Sequence, residues 1–167
     1  MPTSHSVSFF FDNNKFSLVS ISINNDFFAD ALLLTGNSGV VNDDNIDATW
    51  EAWEDVPYSD ETWVWSDYGA NTVWYKWVAP SNGLLTLETH YYQDPEINDS
   101  VLVITSEDYV VGGVPVNHID YDDDGGADFY SKLTNISVVS GKTYYISVAG
   151  YATIENQGWF TLTWDFV

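Results

Sequence analysis

Nearly every apolar stretch in this chain is short and built from β-branched and aromatic residues, which leaves little room for helices. Such runs occupy residues 7–11, 16–23, 40–41, 72–79, 84–90, 100–105, 116–119, 130–138, 143–148 and 159–166. Val, Ile, Thr, Tyr, Phe and Trp suit a pleated surface, and alternation at period two marks a strand. Turn formers separate the runs: Gly36 to Gly39, Pro80 to Gly83, Gly112-Gly113, Gly125-Gly126, Gly141 and Gly158. Only residues 26–34 (DFFADALLL) are ambiguous, reading as a helical turn capped by Asp26 that runs into a strand. Many short strands at this spacing predict an all-β fold, an antiparallel β-sandwich of jelly-roll-like form. Its inward faces are expected to carry Val73, Tyr75, Leu85, Leu87, Leu102, Ile104, Ile146, Val148 and Leu162. Trp74 and Trp77 lie at an odd spacing, so they face opposite sides of their strand, one to the core and one outward.

The 167 residues fit one domain large enough to bury its own core. Residues 25–167 read as the sandwich and residues 1–24 as an N-terminal β arm, with two β-like runs joined at Asp12-Asn13-Asn14. Phe9, Phe10 and Phe11 are consecutive and cannot all face one core, because strand side chains alternate. At least one is expected to point outward, where strand addition to a neighbour would use it. The alternative is a hairpin that extends the domain's own sheet. Residues 42–71 break the pattern: they are acidic, Trp-rich and poorly alternating, as a functional loop is.

Charge narrows the partners. Asp and Glu number 25 against 4 Lys and Arg, a formal charge of −21. Nucleic acid needs clustered cations to neutralise phosphates, so it is excluded as a partner. Anionic lipid surfaces are repelled by the same field, and no apolar run approaches membrane-spanning length. No export leader is read at the N-terminus. Aromatics make up 17 % of the residues, which argues for a packed fold and against the disorder that acidity alone would suggest.

From residue 25 onward the motif order is NDFFADALLLTGNSG, DNIDATWEAWED, NTVWYKWVAPSNGLLTLET, NDSVLVITSED, IDYDDDGGAD, VVSGKTYYISVAGY and GWFTLTW. This resembles the bacterial pre-peptidase C-terminal (PPC) domain family, small β-sandwiches appended to secreted proteases and other exoproteins. The most specific segments are VWYKWVAP at 73–80 and GKTYYISVAG at 141–150. The family's acidic E-x-G-E-P region is replaced here by Glu51-Ala52-Trp53-Glu54-Asp55, with a Trp-rich insertion after it. The resemblance implies a sandwich and a binding role, and the family includes calcium binders.

Catalysis finds little support in the residues. The chain has no cysteine. His5, His90 and His118 stand in no nucleophile signature, and a Ser/His/Asp set would need one of them held between a serine and a carboxylate. Carboxylate pairs of the glycosidase kind arise by accident among so many acids. The sharpest local motif is Asp120, Asp122, Asp124, Gly125 and Asp128, with oxygen ligands at alternate positions before a tight turn, as in the first half of a calcium loop. Ser131 stands where a bidentate Glu would close such a loop. Glu51 and Glu54, which align with the family's acidic motif, are the residues that would complete the site. The loop reads as a solvated acidic hairpin turn or as a calcium site that binds weakly if at all, and no other cofactor is expected. The aromatic set Trp50, Trp53, Tyr58, Trp63, Trp65 and Tyr68 reads as packing beneath the long loop, as a protein interface, or as rings that stack on sugars; with Phe9, Phe10 and Phe11 it is the candidate partner-binding surface.

These features point to a non-catalytic structural or interaction protein. The leading expectation is a bacteriophage capsid decoration (cement) or other virion surface protein, bound to the major capsid protein and to its own copies. The alternative is an exported, extracellular PPC-like module that binds carbohydrate or matrix.

Overall fold

The computed structural model describes residues 11–12, 15–16, 24–49, 51, 70–111, 114–151 and 156–167, and the statements below concern those. Eleven strands are present: β1 (Phe11–Asp12), β2 (Lys15–Phe16), β3 (Leu32–Leu34), β4 (Ser38–Asp44), β5 (Ala70–Val78), β6 (Gly83–His90), β7 (Ser100–Val111), β8 (Val114–Asp122), β9 (Lys132–Val138), β10 (Thr143–Gly150) and β11 (Trp159–Phe166). β1 and β2 form a small hairpin, Phe11 opposite Phe16. A five-stranded sheet, β3-β5-β10-β7-β8, packs on a four-stranded sheet, β4-β11-β6-β9. All pairs are antiparallel except β3–β5, where Leu32 to Leu34 run parallel to Tyr75 to Trp77. The all-β sandwich expected from the strand pattern is thus the observed architecture.

The core lies between the sheets and follows the alternation. Val73, Tyr75, Leu85, Leu87, Leu102, Ile104, Ile146, Val148 and Leu162 are all fully buried there, joined by Trp77, Phe160, Trp164 and Phe166. Burying one Leu, Ile or Phe side chain contributes about 1.5–3 kcal/mol. The indoles of Trp77 and Trp164 both donate to the Gly36 carbonyl, at 3.0 and 3.4 Å. Gly36 turns there at φ +89°, a conformation that glycine adopts without steric cost. The neighbouring Gly39 is required by space: a Cβ on it would sit 2.2 Å from the Trp164 ring. Gly39→Ala is therefore expected to destabilise the fold by about 1–3 kcal/mol through overpacking. Thermal melting beside a Val40→Ala control, which alters an exposed side chain on the same strand, checks it.

Asp26, Asp43 and Asp44 are buried carboxylates among the described residues, and Asp43 is the one that bonds a core side chain. Asp43 is 1 % exposed. Its Oδ2 accepts from the Tyr75 hydroxyl at 2.8 Å and from Asn25 Nδ2 at 3.1 Å, and its Oδ1 accepts from the Asp44 amide at 3.1 Å. Burial, and then the Asp43 charge, push the Tyr75 phenol well above its ordinary value, so it stays a neutral donor.

Three details differ from the sequence reading. Trp74 does face away from Trp77, but it is not outward in the sense of solvent: it is fully buried on the outer side of the larger sheet. It packs there with Ala31, Val101, Val103 and Ala149, and Phe28, Tyr145 and Tyr151 lie against the group. The Phe28 ring meets Trp74 edge-on at 5.4 Å. The helical element is a 3₁₀ turn, Phe28–Asp30, whose N-cap is Phe27. Asp26 does not cap it: its carboxylate accepts from the Thr49 amide and hydroxyl at 2.5 and 2.9 Å. Finally, β7 and β8 run much further than expected, through Val111 and from Val114 to Asp122.

Candidate functional site

The lengthened β8 delivers the acidic run to one end of the sandwich. There the chain leaves β8 at Asp122 and enters β9 at Lys132. The same end receives the residues before β7, those after β6, and the start of β11.

Asp122 builds the loop. Its Oδ2 accepts the amides of Gly125 and Lys132, each at 2.7 Å, and so ties the two ends of the loop together. Gly125 and Gly126 are there because of close approach: a Cβ would lie 2.6 Å from the Asp122 carboxylate and 2.4 Å from the Tyr130 carbonyl, respectively. Gly126 donates to that Tyr130 carbonyl at 2.7 Å. Below the loop, Thr89, Ser100 and Ser131 form a fully buried hydroxyl cluster, with Thr89 Oγ1 and Ser100 Oγ 2.7 Å apart.

Three carboxyl groups meet above this base. Asp99, Asp123 and Asp124 each offer an oxygen within 4.8 Å of the others. Asp99 is fixed from behind, because its carbonyl accepts from the Tyr151 amide at 3.0 Å and from Asn156 Nδ2 at 2.7 Å. Asp99 Oδ1 and Asp123 Oδ1 are buried oxygens with no hydrogen-bond donor against them. Burial, then the charges of Asp99, Asp124 and Asp122, push Asp123 up to about 6. Burial, then Asp124, raise Asp99 as well. Repulsion is relieved when one proton lies between Asp99 and Asp123, or when a cation sits against them. The donor set suits a hard cation in type, but calcium takes six to eight oxygens, so three carboxylates make an incomplete cage.

A proton linkage follows. The folded-state value of Asp123, about 6, lies above its ordinary 3.8, so the folded chain holds more protons between those values. Stability should then fall as pH rises from about 4 to about 6, and remain lower above that. Solvent screening limits the effect to about 1 kcal/mol. Asp123→Asn is expected to melt about 2–4 °C higher than the parent at pH 7.5 and to match it at pH 4. Melting curves over that pH range check both the sign and the window.

The other expected ligands fall apart. Asp120 Oδ1 accepts the amide of its own neighbour Tyr121 at 3.0 Å, and Asp128 is exposed at φ +54°, in neither case within the trio. Glu51 accepts from the Phe28 amide at 2.7 Å, at the 3₁₀ turn. Glu54 lies outside the described residues, as do Phe9, Phe10, Trp50, Trp53, Tyr58, Trp63, Trp65 and Tyr68. Phe11 is described only through its backbone pairing in β1. The sequence reading missed Asp123, because alternate positions were favoured in the run. It also missed Asp99, which only the folding of β7 beside β8 brings near.

Exposed aromatic rings crowd the same end. Tyr91 and Tyr92, just past β6, are 55 % and 37 % exposed, and Phe129 in the acidic loop is 63 % exposed. The half-buried Trp159 ring, at the start of β11, lies 5.9 Å from Tyr92. Tyr130 links the two sides, its hydroxyl 3.0 Å from both Glu96 Oε2 and the Ile97 carbonyl. Burial, then Glu96, hold the Tyr130 phenol well above its ordinary value, so it stays a neutral donor to Glu96. Gly158 lets the 95–97 segment close on β11, since a Cβ there would stand 2.2 Å from the Glu96 backbone.

Two of the histidines are described, and the contacts of His90 do not form a relay. His90 Nε2 is 3.3 Å from Thr163 Oγ1 and 3.8 Å from Glu88 Oε2. A nucleophile relay would hold the hydroxyl on one ring nitrogen and the carboxylate on the other. Thr163 also donates its proton to the Glu88 carbonyl at 3.2 Å. His118 is pushed down to about 4 by burial and is neutral at physiological pH. Compared with known proteins, the chain matches no protein-family model and no curated protein.

Proposed function

We propose that this chain is a non-catalytic interaction protein that docks on the surface of a larger protein assembly, of the kind that decorates a virus capsid. The observation that carries this reading is the gathering of exposed rings, Tyr91, Tyr92 and Phe129, at one end of a sandwich whose outer aromatic Trp74 is otherwise buried. Exposed aromatics in a cluster are the usual anchors of protein interfaces. The arrangement of His90, Thr163 and Glu88 supports the non-catalytic part of the reading. The charge supports the outward position: at −21 the chain is repelled by an encapsidated nucleic acid and belongs on the far side of a shell.

Density-gradient sedimentation of extracts from cells that make the protein tests the proposal. The chain is expected in a fast-sedimenting fraction, at a fixed ratio to one shell-forming protein. Recovery only as a slow monomer, with turnover of ester, glycoside or peptide substrates, would overturn it.

A further inference from the structure

We infer that the aromatic end of the sandwich grips a basic segment of its protein partner, with lysine or arginine side chains laid over the rings and their charges met by the surrounding carboxylates. The inference rests on the docking reading above and names the partner's chemistry. The rings are Tyr91, Tyr92 and Phe129, all exposed, beside the half-buried Trp159. The segments that carry the rings also carry Asp94, Glu96, Asp123, Asp124 and Asp128, and Asp99 meets Asp123 and Asp124. The lysine that opens β9 at this end does not neutralise them, because Lys132 Nζ turns to Glu88 at 2.7 Å on the face of the four-stranded sheet.

Charge complementarity selects the occupant. A second copy of this chain brings only four lysines and arginines among 167 residues and repeats the same negative field, so it cannot supply the matching surface. An anionic polymer is repelled. A neutral sugar would stack on the rings and donate hydroxyls to the carboxylates, but it brings no charge to offset the acids at this end. A lysine or arginine satisfies both parts of the surface: its stem covers an aromatic face, its head is attracted by the ring, and its N–H groups reach carboxylates. The rings set the position, and the field speeds the encounter.

The test uses the full chain and a labelled Lys/Arg-rich peptide, with an Asp/Glu-rich peptide of equal length as the control ligand. The basic peptide alone is expected to bind, and its affinity should drop roughly tenfold or more between low and moderate salt. The triple variant Tyr91→Ser, Tyr92→Ser, Phe129→Asn alters exposed side chains only; asparagine is chosen at 129 because it tolerates the φ of +69° there. With an unchanged melting temperature, it should bind the peptide at least roughly tenfold more weakly. Asp165→Asn, an exposed acid at the opposite end of β11, should leave binding unaltered. Equal loss from the Asp165 and ring variants would reduce the effect to net charge and overturn the inference, as would no binding at all. If the chain co-sediments with its assembly while the basic peptide fails to bind, the partner chemistry is wrong and the docking role stands. If the peptide binds but no assembly is found, the docking role fails alone.

Discussion

Replacing Trp74 by alanine should cost about 3–5 kcal/mol, as much as emptying a position in the central core. Trp74 is fully buried although it lies on the outer side of the five-stranded sheet. Its indole fills the space among Ala31, Val101, Val103 and Ala149, and it is the ring against which Phe28 packs edge-on. Truncation removes the transfer free energy of the ring and leaves a cavity that the rigid sheet on one side cannot collapse into. It also loosens the 3₁₀ turn Phe28–Asp30, which is held on that face by the Trp74 amide donating to the Asn25 carbonyl at 2.8 Å. A melting temperature lower by about 6–20 °C is expected for a chain of this size. Trp74→Phe should recover part of the loss. A change within about 1 kcal/mol for Trp74→Ala would mean that this second layer contributes little.

Asp43→Ala is the other large loss, of about 3–5 kcal/mol. The carboxylate is 1 % exposed, and three donors converge on it: Tyr75 Oη, Asn25 Nδ2 and the Asp44 amide. Removing it leaves those donors buried and unpaired, which costs far more than the net worth of the bonds. Tyr75→Phe removes one donor and keeps the packing, so about 1–3 kcal/mol is expected. The double variant should cost less than the sum, because without Asp43 the Tyr75 hydroxyl has no role to lose. Urea unfolding of the four proteins of this cycle measures the coupling; strict additivity would show that the network is not one unit.

The two networks mark what the sequence could and could not disclose. Alternation places Val73 and Tyr75, Leu85 and Leu87, and Leu102 and Ile104 on one face, because a pleated strand permits no other assignment once one of them is inward. The same rule separates Trp74 from Trp77 but is silent on whether the far face is wet, since burial there depends on residues 25–31 lying across the sheet. The extent of β7 and β8 was hidden by Glu107, Asp108 and the Gly112-Gly113 pair, which read locally as loop and turn, while pairing between the strands overrides that preference. In the acidic run, composition gave the neighbourhood of the site, but the roles depend on which carboxylate points back at the backbone. Asp122 does so, with two amides on one oxygen, and Asp123 and Asp124 are left to face Asp99. Asp99 had no local signal, because its proximity follows only from the sheet order that places β7 beside β8. The rings at this end were likewise single aromatics in sequence, at 91, 92, 129 and 159, gathered only by the fold.

Docking through the aromatic and acidic end is most directly tested by amide resonances of the full chain during titration with a Lys/Arg-rich peptide. Shift changes should gather on residues 91–96, 99, 123–130 and 159, saturate together, and vanish in the Tyr91→Ser, Tyr92→Ser, Phe129→Asn variant. Changes spread evenly over exposed acids, including Asp165 at the opposite end of β11, or the absence of any change at this end, would contradict it.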